Sequence, residues 1–306
     1  MWSVLSALDF LLLLPFEFMI KELSILLPVY NNDCRALVGK LLGASIRYEI
    51  IVADDYSSDA EIVERNREIS NLPNCKYIVL NQNLGRAKIR NYLARQAAYE
   101  WLLFLDCDVD VPECFVGNYL KQDESDMVYG GIRFCGNEHQ KKQNLRCKYE
   151  YSAMPRTSLE ERLTNPYHSI SAANFMIRRD VMMAHPFDER FTHYGYEDVM
   201  FGKVLAENHV SIQHIDNPVV IGSFDSNVRY VEKIEESLRT LKQFEDELEG
   251  YSTLLTIANK LKRYHLSCFM KRWHKLFGNL EKRNLMGDNP DLAVFKLYKL
   301  GYFLAQ

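Results

Sequence analysis

The chain has 306 residues, of which 47% are hydrophobic, and carries a formal net charge of −4. This length suffices for one sizeable α/β core, alone or with a smaller helical part. The 16 Phe and 18 Tyr residues argue against a disordered chain, and the lack of a basic excess argues against a nucleic-acid-binding protein.

The first 20 residues are apolar, but their pattern fits neither a membrane span nor a signal peptide. The longest unbroken apolar run, 10–14, is far shorter than the ~20 residues that a span requires. No basic region precedes it and no small-residue cleavage site follows it. We therefore expect residues 1–20 to form an extension outside the core, and a chain that begins at Met19 to fold without residues 1–18.

Strands and helices are predicted to alternate along the first third of the chain. Apolar runs predict strands at 23–29, 48–53, 76–80 and 101–105, and the segments between them predict helices at 35–42, 60–69 and 83–99. Almost unbroken apolar strands are typical of a parallel sheet that is covered on both faces. The alternation predicts a doubly wound α/β domain, in which ligands bind at the carboxyl ends of the strands.

The second part of the chain is predicted to be more varied. Strands are predicted at 128–134 and 170–178, helices at 197–208 and 228–249, and a mobile polar loop region at 135–163. The segment after 249 is helical in character to its end. This pattern predicts an α/β domain over 21–225 and a C-terminal helical region over 226–306.

Acidic residues follow two of the predicted strands. Asp106 and Asp108 come after strand 101–105, and residues i and i+2 of extended backbone point to the same side. The pair can hold one hard divalent cation, Mn²⁺ or Mg²⁺, which would bind diphosphate oxygens. Asp54 and Asp55 end strand 48–53, where a carboxylate can accept hydrogen bonds from a base or a ribose. Turn formation and helix capping are the alternative roles for these acids.

A third acidic pair, Glu197 and Asp198, begins a predicted helix after Gly195. Negative charge at a helix N-terminus is favourable by itself, because it interacts with the helix dipole. The functional alternative is a general base that takes a proton from an acceptor hydroxyl, a role that typically contributes about 10²–10⁴ in rate.

Six segments of the chain resemble family 2 glycosyltransferases, which have the GT-A fold, and they occur in the family's order. The segments are SILLPVYNND (24–33), EIIVADDYSSD (49–59), NLGRAKIRNYLA (83–94), WLLFLDCDVDVP (101–112), AANFMIRRD (172–180) and YGYEDVMFGKVL (194–205). The resemblance implies an inverting, metal-dependent hexosyltransferase. It would transfer a sugar from a nucleotide-diphosphate donor, a UDP-sugar, to a hydroxyl of a glycan or lipid-linked acceptor in cell-surface polysaccharide or glycan synthesis.

The resemblance also implies roles for individual residues. Asp198 would be the catalytic base, oriented by Glu197, and Asp108 would bind the metal beside Asp106 at the ribose. The implied donor-binding residues are Pro28, Val29 and Tyr30 at the base, Asp55 reading the base with Asp54 beside it, Arg86 or Arg90 at the diphosphate, and Asn174 at the donor sugar. The two arginines have an alternative role as solvated helix charges.

The chain departs from the family pattern at two positions. Tyr56 stands where the acidic motif usually has Gly, so this turn must adopt an ordinary φ or accept strain. Many relatives have a metal-binding His shortly after an Asn-Pro pair, whereas Asn217-Pro218 is followed by Val219, Val220 and Ile221. His214 is the candidate substitute for this ligand, with a structural role as the alternative.

The segment 260–283 carries eight Lys or Arg residues and one acid, with apolar residues at helical spacing. Such a helix can lie on an anionic membrane surface or pack on the protein with its basic face in water.

The seven Cys form no CxxC pair, and their scattered spacing favours reduced thiols. We therefore expect a cytoplasmic protein with peripheral contact to the inner face of the membrane.

Three other functions are compatible with parts of the pattern. A nucleotidyltransferase of similar fold would carry a Gly-rich, Arg-containing loop after the first strand, and LPVYNND is not such a loop. A Rossmann oxidoreductase requires G-x-G-x-x-G, which is absent. A non-catalytic module that binds nucleotide sugars is the third alternative.

Overall fold

The computed structural model describes residues 20–122, 124–168 and 170–306. Its strands are β1 (Glu22–Val29), β2 (Arg47–Asp54), β3 (Cys75–Val79), β4 (Trp101–Leu105), β5 (Met127–Tyr129), β6 (Ile132–Phe134), β7 (Asn174–Arg178), β8 (Ile212–His214) and β9 (Val219–Ile221). Within these residues a central sheet has seven strands in the order β3-β2-β1-β4-β7-β5-β8. Only β7 runs antiparallel to its neighbours, so the predicted mostly parallel α/β fold is confirmed.

Helices flank this sheet and form the C-terminal part. They are α1 (Arg35–Leu41), α2 (Ala60–Arg67), α3 (Arg86–Gln96), α4 (Phe115–Tyr119), α5 (Glu138–Gln143), α6 (Leu145–Ala153), α7 (Leu159–Thr164), α8 (Arg179–Ala184), α9 (Glu197–Glu207), α10 (Asn227–Gln243), α11 (Thr253–Arg263), α12 (Ser267–Met286) and α13 (Leu292–Ala305). None of the described helices is both long enough and apolar enough to cross a membrane.

The central strands are apolar throughout because both faces of the sheet are covered. Ile25 and Leu27 of β1 pack into one core, whereas Leu26 packs into the core on the opposite face. The register aligns Leu26 with Ile51 of β2, so equivalent positions of neighbouring strands share a face. Burial of each such side chain contributes about 1.5–3 kcal/mol, which favours this register over a one-residue slip.

The predicted strand 128–134 is two strands in different sheets. It breaks at Gly130 and Gly131, after which β6 pairs in parallel with β9 in a small second sheet. Gly131 has φ +88, and a Cβ at Gly130 would lie 2.4 Å from the Asn217 carbonyl oxygen. Both glycines are therefore required by the turn, which sends β6 away from the central sheet.

The prediction that 135–163 is a mobile loop region is wrong. The segment forms α5, α6 and α7, whose first turns are capped by the side chains of Asn137, Asn144 and Ser158. Leu145 at the start of α6 is fully buried. The error arises because helices of six to nine residues are too short to show a clear apolar period.

The C-terminal helices share a core with the α/β part. Phe191 and Met200 pack with Leu238, Leu241 and Phe303 in one buried cluster. The predicted domain boundary between residues 225 and 226 remains a prediction.

The N-terminal extension was predicted over residues 1–20. Residues 1–19 of it lie outside the described part of the chain. Ile20 is buried, and its N–H donates to the Leu120 carbonyl oxygen at 3.4 Å, so this last residue of the predicted extension belongs to the core.

Candidate active site

A cavity of about 890 Å³ lies at the carboxyl ends of β1, β2 and β4. One or more members of each acidic pair line it, namely Asp55, Asp106, Asp108 and Asp198. The other predicted site residues in its lining are Pro28, Val29, Tyr30, Arg86 and Arg90. Three acidic segments that lie far apart in the sequence therefore meet around one cavity.

Asp106 and Asp108 differ in what surrounds their carboxylates. Arg90, which is 2% exposed, donates from Nη2 to Asp106 Oδ1 at 2.6 Å. No other described residue forms an ion pair with the carboxylate of Asp108, which is exposed to the cavity. The surrounding protein and the charge of Asp106 raise the pKa of Asp108, whereas the charges of Arg146 and Arg86 lower it. Asp108 is thus the carboxylate most available to a ligand.

The donor set fits a cation only in part. Hard oxygen ligands two residues apart suit Mn²⁺ or Mg²⁺, which usually keep several waters and substrate oxygens. Among the described residues, however, no group of three or more His, Cys, Asp or Glu side chains is arranged to hold a metal. A cation at Asp108 and Asp106 would therefore need diphosphate oxygens and water to complete its coordination.

Asp55 holds the loop that leads into α3. Its carboxylate accepts from the N–H groups of Leu84 at 2.6 Å and Gly85 at 2.9 Å. Burial raises the pKa of Asp55, and these two N–H groups oppose that effect. Because each carboxylate oxygen of Asp55 already accepts one hydrogen bond, only its remaining lone pairs could accept a hydrogen bond from a nucleobase. Asp55 therefore shapes the part of the cavity beside this loop.

The turn after Asp55 accepts strain rather than an ordinary φ. Tyr56 has φ +64, in the left-handed region that costs roughly 1–2 kcal/mol for a residue with a Cβ. The Ser57 N–H donates to Asp54 Oδ1 at 2.7 Å, and the Asn31 N–H donates to Ser57 Oγ at 2.7 Å. These bonds hold the backbone in the conformation that Gly would adopt more easily.

Asp198 enters the cavity from the first turn of α9. Its Oδ1 accepts from the Val199 N–H at 2.9 Å. Burial, together with the charge of Glu197, raises the pKa of Asp198 to about 7. A carboxyl with a pKa near neutrality can be ionised at physiological pH and still accept a proton effectively, which suits a general base.

Glu197 does not line the cavity. It is buried, and its Oε1 lies 3.5 Å from Nη1 of Arg86. Its Oε2 is buried without a hydrogen-bond partner among the described residues. Its negative charge raises the pKa of Asp198 and holds Arg86 beside the cavity.

Besides Glu197 and His214, two predicted site residues lie outside the lining, Asn174 and Asp54, and the structure gives both a role in the framework. Asn174 accepts from the Tyr119 hydroxyl and donates to the Gly131 and Asn217 carbonyl oxygens. Asp54 accepts from the Ser57 N–H and the Tyr77 hydroxyl. Both side chains are fully buried and hold the framework, so direct donor contact is not available to them.

His214 is not placed to bind a metal. Its Nε2 lies 2.9 Å from the Pro166 carbonyl oxygen and its Nδ1 lies 3.3 Å from Nη1 of Arg162. Burial lowers the pKa of His214 to about 4. With both ring nitrogens engaged, this residue has the structural role that the sequence left as the alternative.

Several cavity residues were not predicted from the sequence. Arg146 of α6 and Lys233 of α10 line the cavity, and both bond to Asp225, Lys233 at 2.8 Å and Arg146 at 3.4 Å. Two cations lie over the ring of Tyr194, with Arg86 at 4.7 Å and Lys233 at 5.8 Å from its centroid. Arg146 falls in the stretch predicted as a loop, and no local spacing in the sequence connects it with Asp225.

The family model for glycosyl transferase family 2 matches residues 24–185. The chain is also similar to two curated bacterial proteins described as chondroitin synthase. The protein from Escherichia coli is 27% identical over 61% of this chain, and the one from Pasteurella multocida is 28% identical over 59%. The matches span 32% and 22% of those proteins, so this chain corresponds to less than a third of their length.

Solved structures share the fold. A mannosyltransferase from Pyrobaculum calidifontis, determined in complex with GDP-Man and Mn²⁺, aligns with a TM-score of 0.56 at 13% identity. That alignment covers 92% of this chain and 84% of the other. S. aureus TarS, residues 1–349, aligns with a TM-score of 0.50 at 17% identity, covering 93% of this chain and 90% of the other. The predicted GT-A fold with C-terminal helices is confirmed.

Proposed function

The chain belongs to glycosyl transferase family 2, and from this premise we propose that it is an inverting, metal-dependent hexosyltransferase that uses a nucleotide-diphosphate sugar. The observation that carries the proposal is the meeting of Asp55, Asp106, Asp108 and Asp198 in one cavity. Its volume of about 890 Å³ falls within the range of cavities that bind small molecules.

The proposed reaction is a direct displacement. Asp198 accepts the proton of an acceptor hydroxyl, whose oxygen attacks the anomeric carbon and forms the new glycosidic bond. The bond to the nucleoside diphosphate breaks on the opposite face, so the anomeric configuration inverts. Asp108 and Asp106 would hold Mn²⁺ or Mg²⁺, which when bound offsets the charge that develops on the leaving diphosphate.

The donor is proposed to be a UDP-sugar and the product a cell-surface polysaccharide or glycan. The support is the similarity to two proteins described as chondroitin synthase, which act in polysaccharide synthesis as their name states. Pro28, Val29 and Tyr30 line the cavity beside Asp55, where the base would lie. The acceptor would enter on the side of Asp198, since this carboxylate must reach its hydroxyl.

A panel of nucleotide sugars tests the proposed function directly. We expect one UDP-sugar to raise the unfolding temperature in the presence of Mn²⁺, since ligand at 100 times Kd stabilises by about 2.7 kcal/mol. The same donor should then be hydrolysed slowly and transferred when an acceptor glycan is added. Stabilisation without hydrolysis or transfer would favour the non-catalytic binding module, and pyrophosphate release from a nucleoside triphosphate would favour a nucleotidyltransferase.

We further propose that α12 contacts an anionic membrane surface on the cytoplasmic side, near a lipid-linked acceptor. Phe269 and Leu276 are 62% and 72% exposed, and the ring of Trp273 lies beside those of Phe269 and Phe277 on the same helix. The same helix carries exposed basic side chains, which are Lys271, Arg272, Lys275 and Arg283. Apolar side chains beside basic ones match the apolar interior and anionic headgroups of a membrane surface.

Vesicle flotation tests this contact. We expect the protein to float with vesicles that contain phosphatidylglycerol and not with pure phosphatidylcholine vesicles. The double variant Phe269→Ser/Leu276→Ser should lose most of this binding, whereas Leu163→Ser, which alters a 61% exposed leucine of α7, should keep it. Absence of wild-type binding to anionic vesicles would end the membrane proposal without affecting the proposed reaction.

A further inference from the structure

A cationic pair lies in the cavity wall, with one member on α6 and the other on α10. Arg146 and Lys233 share the carboxylate of Asp225, so two positive charges are balanced by one negative charge. Their side chains are only 19% and 24% exposed, and both border the cavity. Partly buried charges are screened less by salt and solvent than surface charges, so the excess positive charge acts on the cavity.

This pair lies close to the groups that define the proposed diphosphate position. Lys233 and Arg86 both lie over the ring of Tyr194, at 5.8 and 4.7 Å from its centroid. Arg146 and Asp108 line the same cavity. Lys233 is therefore connected to Arg86 through the ring that both contact, and Arg146 is connected to Lys233 through Asp225.

The chain segment that leads to Asp225 presents an apolar side chain to the cavity. Ile221, at the end of β9, is part of the cavity lining. Four residues further along, Asp225 holds Arg146 and Lys233. The connection between β9 and α10 thus supplies the acid that holds both cations at the cavity.

We infer that Arg146 and Lys233, held by Asp225, form a cationic diphosphate-binding site opposite Asp106 and Asp108. The inference rests on the proposed function and deepens it. Arg146 can donate two parallel hydrogen bonds to phosphate oxygens, and Lys233 adds a mobile point charge. The pair supplies positive charge to the leaving diphosphate in addition to any cation held by Asp108 and Asp106. Nucleoside diphosphate binding consequently persists in part when divalent metal is removed.

An anionic group could also come from the acceptor, for example a hexuronate carboxylate or a lipid phosphate. Glu150, one turn after Arg146 on α6, lies in the same lining and adds a negative charge there, which disfavours a second anion beside Arg146. The contacts of Lys233 with Tyr194 point instead toward Arg86. The observations therefore favour the donor diphosphate, and an anionic acceptor becomes an outcome of the test.

Calorimetric titration with UDP and with uridine, each in EDTA and in Mn²⁺, tests the inference. In EDTA the wild-type protein should bind UDP more tightly than uridine. Lys233→Met and Arg146→Met should each weaken UDP binding by about tenfold in EDTA and leave uridine binding unchanged. Lys233→Arg, which keeps the charge, should retain most of the UDP affinity. GDP and guanosine replace these probes if GDP binds more tightly to the wild-type protein.

Lys242→Met is the matched control, because Lys242 lies on the same helix, pairs with Glu245 and does not line the cavity. Its UDP affinity should equal that of the wild-type protein. Unchanged UDP affinity in both Lys233→Met and Arg146→Met would overturn the inference. It would also be overturned if the two variants lost only the transfer of sugar to acidic acceptors. Absence of wild-type UDP and GDP binding even in Mn²⁺ would instead contradict the proposed function.

Discussion

Replacing Asp198 by Asn is expected to lower sugar transfer by about 10²–10⁴-fold while donor binding stays near that of the wild-type protein. The substitution keeps an oxygen that can accept from the Val199 N–H, so the first turn of α9 should be preserved. The substitution removes the carboxylate that the proposed mechanism uses to accept the proton. Transfer kinetics and nucleotide titration on the same preparation measure the two effects separately.

Glu207→Gln is the control for this variant, because Glu207 lies at the other end of α9 and is 59% exposed. It should transfer sugar at the wild-type rate. Near wild-type turnover in Asp198→Asn would show that another group acts as the base, and loss of donor binding in this variant would show that Asp198 acts in binding instead.

The same carboxyl should determine the acid limb of the pH profile. Burial and the charge of Glu197 raise the pKa of Asp198 to about 7, so Asp198 becomes protonated as the pH falls through that value. A protonated carboxyl cannot accept the acceptor proton, and kcat/KM should fall about tenfold for each pH unit below the pKa. The residual activity of Asp198→Asn should lack this limb, which identifies the titrating group.

The sequence was most informative where burial is uniform. Strands β1, β2 and β4 are covered on both faces, so runs such as Ile25–Leu27 are apolar without interruption and could be assigned directly. Their carboxyl ends meet at one sheet edge, and for that reason the acids that follow them could be placed together. The third acidic pair, Glu197 and Asp198, was predicted to lie at the same site only because its segment matches the family pattern. No local periodicity in the sequence connects Asp198 with Asp108.

The failures share a dependence on contacts between distant residues. The chain turns at Gly130 because the Asn217 carbonyl oxygen leaves no room for a Cβ, and this contact joins residues far apart in sequence. His214 had the right chemistry for a metal ligand, but Pro166 and Arg162 occupy its ring nitrogens. Arg146 and Lys233 enter the cavity from helices on either side of Asp225, and only the folded chain brings them together.

Asp108→Ala is expected to abolish the Mn²⁺-dependent part of donor binding and to lower transfer by about 10²–10³-fold, a loss typical of removing one group that stabilises developing charge. Asp108 is the acid of its pair that makes no ion pair with another described residue, whereas Asp106 is already bonded to Arg90. Titration of UDP with and without Mn²⁺, followed by transfer kinetics, measures both effects. Asp110→Ala is the matched control, because Asp110 pairs with Lys40 outside the cavity and should leave both unchanged.

The loss in Asp108→Ala should not come from unfolding, and the sign of the pKa shift explains why. The pKa of Asp108 is raised in the folded protein, so its stabilising contribution exists at low pH and is lost as the pH rises through the folded value. At neutral pH the ionised carboxylate beside Asp106 therefore opposes folding, and its removal should leave the unfolding temperature equal or higher. If Asp108→Ala lowers the unfolding temperature and leaves Mn²⁺-dependent UDP binding unchanged, Asp108 has a structural role. If the variant is more stable and loses this binding, the carboxylate serves the ligand at a cost in stability.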